Sequence, residues 1–198
     1  RIVAAVSVPV SADLESGYGD RPDEVAWTVA RAAEVGAVGG NLEDARAGRL
    51  LALDEAVERI EAARAAAPRG SFVLNARTDT YFGGHSADPF AETVERATRY
   101  LQAGADCVFV PGVVDAGTIG RLAPEIPGPL NIVAGLANAI DAPTLFSLGV
   151  VRVSLGGSLA RAALSLLEHA GRELRESGTL GFLEGALSYA ELQARFAR

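Results

Sequence analysis

Hydrophobic residues along the chain fall into six short runs separated by longer amphipathic stretches. The runs are Val8–Glu15, Ala37–Asp44, Phe72–Asp79, Asp106–Val113, Leu130–Gly135 and Val150–Gly157. Their length is typical of buried strands. Between them, stretches such as Asp54–Ala67 and Phe90–Ala103 space apolar residues three or four apart, which predicts helices with one buried face. The alternation indicates an α/β fold of parallel strands joined by right-handed crossovers.

A weak internal repeat marks three of the predicted helix-to-strand junctions, at Glu34–Gly40, Gln102–Val108 and Ser147–Val153. In each segment a glycine follows the helix and a buried strand begins two or three residues later. Glycine in a left-handed conformation commonly ends a helix, so the repeat supports successive strand–helix units.

We predict a (β/α)8 TIM barrel in which residues 1–198 form one domain, with strands 3–8 and the C-terminal helices. Eight strand–helix units take ~250 residues, so six units suit this length. The chain has no methionine, and we expect two further strand–helix units to precede it. The competing fold is an open doubly wound sheet, which would gather its polar residues at one switch point.

Polar residues instead end three successive predicted strands. Residues two apart on a strand share a face, so Asp13 and Glu15 are expected to point together toward the barrel mouth, with Leu14 packed outward. The same alternation groups Asn41 with Glu43, and Asn75 with Arg77 and Asp79.

Carboxylates that converge at one edge repel each other unless positive charge lies among them. A divalent cation or Arg77 can supply that charge, and this edge is where TIM barrels keep their active sites. The alternative is a network of salt bridges at the strand ends with no catalytic role.

Composition narrows the chemistry further. The chain has no lysine, two histidines and one cysteine, which excludes Schiff-base lysine chemistry and a zinc cluster of histidine and cysteine. Oxygen ligands remain, and they favour Mg²⁺ or Mn²⁺. The net charge of −7 makes nucleic acid and anionic membranes poor partners. A single cysteine allows no disulfide framework, as expected in the cytoplasm.

The polar strand ends carry motifs that resemble the isocitrate lyase/phosphoenolpyruvate mutase superfamily. They are "PVSADLESGYG" (Pro9–Gly19), "GGNLED" (Gly39–Asp44) and "LNARTD" (Leu74–Asp79), followed in order by "AGADCVFVPG", "PLNIVA" and "VVRVSLGGSLARAAL". The resemblance implies a TIM-barrel enzyme that binds Mg²⁺ and a small 2-oxo or 2-hydroxy carboxylic acid. It also implies a homodimer or homotetramer with an exchanged C-terminal helix.

Carried over by motif position, the resemblance assigns a role to each candidate residue. Asp13 would bind the metal directly, and Glu15 and Glu43 would hold it mostly through water. Arg77 would grip the substrate, and with Asp13 it is a candidate catalytic residue. The remaining expected substrate contacts are Asn131, Leu155 and Tyr18.

Two departures from the resemblance bear on the reaction. Lyases that cleave isocitrate or methylisocitrate carry a Lys-Lys/Arg-Cys-Gly-His loop after the "ED" strand, whereas Asp44 is followed here by Ala-Arg-Ala-Gly-Arg-Leu-Leu. A strand position that often carries Glu or His is Gly112. Cys107 begins an apolar strand and is expected to be a core residue. The chain is therefore most similar to the short, oxaloacetate-decarboxylase-like branch.

The resulting hypothesis is a Mg²⁺-dependent lyase or decarboxylase that cleaves a C–C bond through a metal-stabilised enolate. Two alternatives stay open: a C–P bond enzyme of the phosphonopyruvate hydrolase or mutase type, and an oxoacid-binding member of the family without catalysis. His85, in a glycine-rich loop after the "ARTD" strand, is a candidate lid residue, with an ordinary surface histidine as the favoured interpretation.

Overall fold

A computed structural model of the protein describes residues 1–82, 84, 86–135 and 140–197. These residues divide into two compact units, Arg1–Ser154 and Leu155–Arg198. The elements of the first unit are, in chain order, α1 (Ile2–Ala5), β1 (Ser11–Asp13), α2 (Pro22–Glu34), β2 (Gly39–Glu43), β3 (Ala45–Arg46), β4 (Arg49–Leu50), α3 (Leu53–Ala66), β5 (Val73–Arg77), α4 (Pro89–Gln102), β6 (Cys107–Val110), α5 (Ala116–Glu125), β7 (Leu130–Val133), α6 (Ala142–Ser147) and β8 (Arg152–Ser154). The second unit contains α7 (Ser158–Glu176), a 3-10 turn (Gly181–Leu183) and α8 (Tyr189–Phe196).

Six parallel strands form a curled sheet in the order β1-β2-β5-β6-β7-β8, which is a half-barrel. Each of the six predicted apolar runs contains one of these strands, so the predicted strand order is confirmed. The predicted glycine caps are confirmed as well, because Gly36, Gly104 and Gly149 have φ values of +90°, +115° and +95°. Side chains of Asp88, Asp115 and Asp141 cap α4, α5 and α6 by accepting backbone hydrogen bonds.

The two faces of the sheet differ in chemistry. Leu42, Leu74 and Val108 are at most 2% exposed and belong to hydrophobic clusters shared with residues of the helices, such as Ile60 and Ile119. Residues that alternate with them along the strands point to the opposite face. The asparagine, glutamate and arginine side chains of β2 and β5 are among these, so the fold gathers polar groups on one face.

Two local features differ from expectation or were not predicted. The strand β1 ends at Asp13 and does not reach Glu15. After Asp44 the chain forms a tight antiparallel hairpin, β3–β4, whose two turn residues, Ala47 and Gly48, have φ values of +49° and +74°. Positive φ at both positions is typical of a type I′ turn. Among the described residues, every helix is too short or too polar to cross a membrane.

Candidate functional site

The end of β1 turns sharply where sequence alternation predicted a continuing strand. Leu14 is buried as expected, but Glu15 lies in a turn with φ +47°, so the prediction that Glu15 extends the strand on the face of Asp13 is wrong. The reversal brings the backbone N–H of Glu15 back to Asp13 Oδ1, at 3.2 Å. The carbonyl oxygen of Glu15 accepts from the Glu43 N–H at 2.8 Å, which keeps the turn attached to β2.

Gly17 makes this turn possible. Its φ is +90°, and a Cβ at this position would lie 2.8 Å from Val25 Cγ2 and 3.2 Å from Leu42 Cδ1. Both the left-handed backbone and the close approach of the core favour glycine. The turn therefore packs on the hydrophobic core while Asp13 and Glu15 stay exposed.

Arg77 is the centre of the charged groups at the ends of β2 and β5. Its Nη1 lies 2.8 Å from Glu43 Oε2, and its Nε and Nη2 donate to the two carboxylate oxygens of Asp79 at 2.7 and 2.9 Å. Burial alone would lower the pKa of Arg77, but the hydrogen bond and charge of Asp79 and the charge of Glu43 raise it. The guanidinium is therefore permanently charged and held by two carboxylates.

Negative charge accumulates around Glu43. Burial raises the pKa of Glu43 to about 6; Arg77 opposes this rise, and the charges of Asp79, Asp13 and Glu15 add to it. Glu43 is therefore partly buried, and the neighbouring carboxylates repel its negative charge. Such a field favours a cation.

Tyr18 lies within the same negative field. Its side chain is exposed and its backbone has φ +52°. Desolvation, followed by the charges of Glu15, Asp13 and Glu43, raises the pKa of Tyr18. Its phenol therefore stays protonated and can donate a hydrogen bond.

Asn131 lies on the same rung of the sheet as the charged groups. The register pairs Glu43 with Arg77, Arg77 with Phe109, and Phe109 with Asn131. Asn131 is fully buried, and its Nδ2 donates to Ser154 Oγ at 3.0 Å. In-register residues share a face, so Asn131 and Arg77 point to the same side.

A buried network behind the site was not predicted. Asp44 accepts from the Tyr100 hydroxyl at 2.7 Å, from Arg96 Nη1 at 3.2 Å and from the Asp79 backbone N–H at 2.9 Å. Burial raises the pKa of Asp44, and the hydrogen bond from Tyr100 works against that rise. Because Asp79 holds Arg77, the network links α4 to the orientation of the guanidinium.

The donor chemistry of the site fits an oxygen-preferring divalent cation. Asp13 and Glu15 are exposed carboxylates in a field of negative charge, and Mg²⁺ and Mn²⁺ prefer such ligands. Within the part of the chain that the structure describes, no three side chains of the histidine, cysteine, aspartate and glutamate types are grouped closely enough to hold a metal. Glu43 is paired with Arg77, which suits a ligand that acts through water better than one in direct contact.

Comparison with known proteins identifies the family. A family model described as phosphoenolpyruvate phosphomutase matches residues 1–175. The chain belongs to this family.

Relatives in the phosphoenolpyruvate phosphomutase family have several activities. An uncharacterized protein of Mycobacterium tuberculosis (strain ATCC 25618 / H37Rv) is 38% identical over 98% of this chain and 70% of its own length. The 2-methylisocitrate lyase of Escherichia coli (strain K12) is 29% identical, over 90% of this chain and 63% of the lyase. The oxaloacetate decarboxylase of Pseudomonas fluorescens (strain SBW25) is 30% identical, over 83% of this chain and 58% of the decarboxylase. The chain thus spans about three fifths of these two enzymes.

Solved structures of the family share the fold. A candidate lyase/mutase from Burkholderia cenocepacia J2315 superposes with a TM-score of 0.92 at 43% identity, over all of this chain and 72% of that protein. A phosphonopyruvate hydrolase, solved with oxalate and Mg²⁺, gives a TM-score of 0.81 at 26% identity, over 98% of this chain and 70% of the hydrolase. The half-barrel is therefore six strands of a (β/α)8 barrel, as predicted.

The position of Gly112 has no room for the Glu or His expected from the family resemblance. A Cβ on Gly112 would lie 2.8 Å from the carbonyl carbon of Tyr81 and 2.9 Å from its carbonyl oxygen. Backbone atoms cannot move aside as a flexible side chain can, so this chain excludes a side chain at Gly112.

Cys107 is a core residue, as expected. It is 5% exposed, and burial, with Arg152 opposing, raises its pKa to about 11. The only cysteine of the chain is therefore a neutral thiol at physiological pH. Leu155 belongs to the second unit, and its role in the pocket stays a prediction. His85 lies outside the described residues.

Proposed function

We propose that this chain is the larger part of a Mg²⁺-dependent enzyme that cleaves a C–C bond in a small 2-oxo or 2-hydroxy carboxylic acid. The observation that carries the proposal is the edge formed by β1, β2 and β5. There, one guanidinium lies among the carboxylates of Glu43 and Asp79, with Asp13 and Glu15 beside them. The edge therefore offers one positively charged group that can bind an anionic substrate, next to oxygen ligands that can bind a metal cation.

Each residue has a role in the proposal that its environment supports. Asp13, exposed at the strand end, binds the metal directly, while Glu15 and Glu43 hold it through water. When bound, the cation polarises the substrate oxygen beside the reacting carbon and stabilises negative charge there. Arg77 has a fixed orientation and binds the substrate carboxylate through its guanidinium.

Asn131 and Tyr18 complete the proposed substrate contacts. Asn131 shares the rung of Arg77 and contacts the distal end of the substrate through its amide. Tyr18 donates its phenolic proton to a substrate oxygen, which the raised pKa supports.

Decarboxylation suits these side chains better than cleavage of a methylisocitrate-type substrate. Cleavage into two acids needs a proton donor for the departing carbanion, and Cys107 is buried on β6 with a pKa of about 11. The hairpin β3–β4 follows Asp44 at the place where a catalytic cysteine loop is expected. Loss of CO₂ needs no such donor, because solvent can protonate the remaining carbanion.

The direct experiment compares wild type with Asp13→Ala for turnover of oxaloacetate, dimethylmalate and methylisocitrate with Mg²⁺. We expect wild type to release CO₂ from oxaloacetate and Asp13→Ala to be folded but inactive. Glu34→Ala, an exposed acid at the end of α2, is the control and should keep full activity. Full turnover by Asp13→Ala would refute the proposed mechanism.

A binding protein without turnover is the second candidate. The hairpin in place of the cysteine loop and the closed position of Gly112 favour it, because both remove groups that catalysis could use. Tight binding of an oxoacid without any product would establish it. Phosphate release from phosphonopyruvate, measured in the same series, tests the C–P alternative.

We also propose that the protein is a homodimer or homotetramer that exchanges its C-terminal helix. The helix α7 carries several leucines that are more than half exposed: Leu159, Leu164, Leu166 and Leu167. Apolar surface of this kind commonly belongs to an interface. Light scattering after size-exclusion chromatography measures the mass, and a monomer would contradict the proposal.

A further inference from the structure

Arg59, on α3, uses its guanidinium to hold one loop. Its Nη1 donates to the carbonyl oxygen of Asp20 at 2.9 Å, and its Nη2 donates to that of Gly19 at 2.9 Å and also to that of Ser16. The side chain is 1% exposed. Among the described residues, no carboxylate lies within ion-pair distance of it. The buried charge is thus stabilised by hydrogen bonds to three backbone carbonyls within five consecutive residues.

The loop that Arg59 holds follows directly on the strand end that carries Asp13. Glu15 and Tyr18 both have positive φ, +47° and +52°, a conformation that non-glycine residues rarely adopt. Such conformations persist only where the surrounding structure enforces them. Hydrogen bonds from Arg59 to Ser16 and Gly19 lie on either side of Tyr18, so they supply that enforcement.

Arg59 also reaches the wall behind Glu43. A small cavity of about 10 Å³ is lined by Arg59, Glu43, Asp44 and Arg77. This volume is about the least that can hold one water molecule. Nε of Arg59 is buried and has no hydrogen-bond partner among the described residues, so a donor is available beside this space.

We propose that Arg59 is the positioning residue for the metal-binding segment. By fixing the carbonyls of Ser16, Gly19 and Asp20, it sets the carboxylate of Glu15 and the phenol of Tyr18 relative to Asp13. The inference rests on the proposed function, because it assigns a supporting residue to the same site. Groups that orient metal ligands typically change metal affinity by about 10–100-fold when they are removed.

The test uses two substitutions and a matched control in the complete protein. Arg59→Met removes all donors and keeps an apolar stem, whereas Arg59→Lys keeps the charge but cannot reach three carbonyls at once. Arg64→Met is the control, since Arg64 lies on the same helix and donates to backbone carbonyls, from Nε to Gly104 at 2.8 Å and from Nη1 to Ala67 at 2.8 Å.

Two measurements are made on each variant. Mn²⁺ binding without substrate is followed by electron paramagnetic resonance, and amide hydrogen exchange of residues 14–21 is followed by mass spectrometry in EDTA. We expect Arg59→Met to weaken Mn²⁺ binding at least tenfold and to speed amide exchange in the loop. The loop includes the N–H of Gly17, which in the wild type donates to the carbonyl oxygen of Leu14 at 2.8 Å. Arg59→Lys should lie in between, and Arg64→Met should change neither value.

The outcomes distinguish a failure of the positioning role of Arg59 from a failure of the proposed function. Wild-type Mn²⁺ affinity and unchanged loop exchange in Arg59→Met would overturn the positioning role. If Arg59→Met does not fold, Arg59→Lys decides in the same way, and full wild-type behaviour in it would refute the need for three bonds. Absence of Mn²⁺ binding by the wild type would overturn the proposed function, while the exchange measurement would still decide whether Arg59 holds the loop.

Discussion

Replacement of Asp44 by alanine tests how the strand ends behind the site are held. Asp44 is 3% exposed and accepts hydrogen bonds from Tyr100, Arg96 and the backbone of Asp79. A hydrogen bond to a charged group contributes about 1.5–3 kcal/mol. Alanine removes the acceptor for all three donors, and it leaves the guanidinium of Arg96 in the interior without that carboxylate.

The expected loss of stability depends on the hydrogen bonds that Arg96 keeps in the variant. Removing one partner of a buried ion pair costs about 3–5 kcal/mol. Arg96 retains Glu92 Oε1 at 2.8 Å and the Leu51 carbonyl oxygen at 3.0 Å, so its charge stays partly compensated. We therefore expect the free energy of unfolding of Asp44→Ala to fall by about 3 kcal/mol, the lower end of that range. Because Asp79 loses its anchor, KM should rise more than kcat falls.

Urea unfolding followed by circular dichroism measures the loss, and steady-state kinetics separates KM from kcat. Tyr100→Phe is the matched comparison, since it removes only the hydroxyl, which donates to Asp44 and accepts from Arg96 Nη1 at 3.2 Å, and leaves the ion pair between Asp44 and Arg96 in place. It should cost about 1.5 kcal/mol. The reasoning is refuted if Asp44→Ala unfolds at the wild-type urea concentration, or if it costs no more than Tyr100→Phe.

Three further predictions concern the site and its surroundings. In EDTA, Glu43→Gln should raise the free energy of unfolding at pH 8 by about 2 kcal/mol and leave it unchanged at pH 4. Folding raises the pKa of Glu43 to about 6, so the stability present below the ordinary pKa of the side chain is lost as the pH rises through 6. A pH-independent difference in urea midpoints would contradict this. Gly112→Ala should lower the free energy of unfolding by about 1–3 kcal/mol, because its Cβ meets the Tyr81 backbone. The control Gly117→Ala should not lower it, since the Cβ there has only Asp115 Oδ1 nearby, at 3.4 Å. Equal melting temperatures of the two variants would contradict the clash at Gly112. Cys107 should resist iodoacetamide in the native protein at pH 8 and react in urea, because it is buried with a pKa of about 11; rapid native labelling would show an accessible thiolate.

Local pattern was enough to predict the framework of the fold. Apolar runs and the glycines at positions 36, 104 and 149 specify where strands begin, because both depend on neighbours along the chain. The same local rule failed at Glu15, where alternation assumes an extended backbone. The structure has φ +47° there, and its cause, the packing of Gly17 on Val25 and the grip of Arg59, involves residues that alternation does not consider.

The buried charged residues behind the site, Arg59, Arg96 and Asp44, were not predicted for a related reason. Arg59 contacts carbonyls 39 to 43 residues away, and Asp44 contacts Tyr100 at a separation of 56 residues. On an amphipathic helix, an arginine is ordinarily assigned to the solvent face, so nothing in the local pattern distinguishes Arg59 or Arg96 from a surface residue. Only the packing of the helices on the curled sheet brings their partners within reach.

The tight hairpin after Asp44 determines how the strand-end edge meets bulk water. Two residues join β3 to β4, and Arg46 Nη1 is paired with Asp20 Oδ1 at 2.7 Å. A connection this short has no spare residues with which to swing over Arg77 as a lid. We expect this hairpin to stay in place during turnover, and solvent to compete for a carbanion formed at this edge. Such an arrangement favours products that carry a solvent proton.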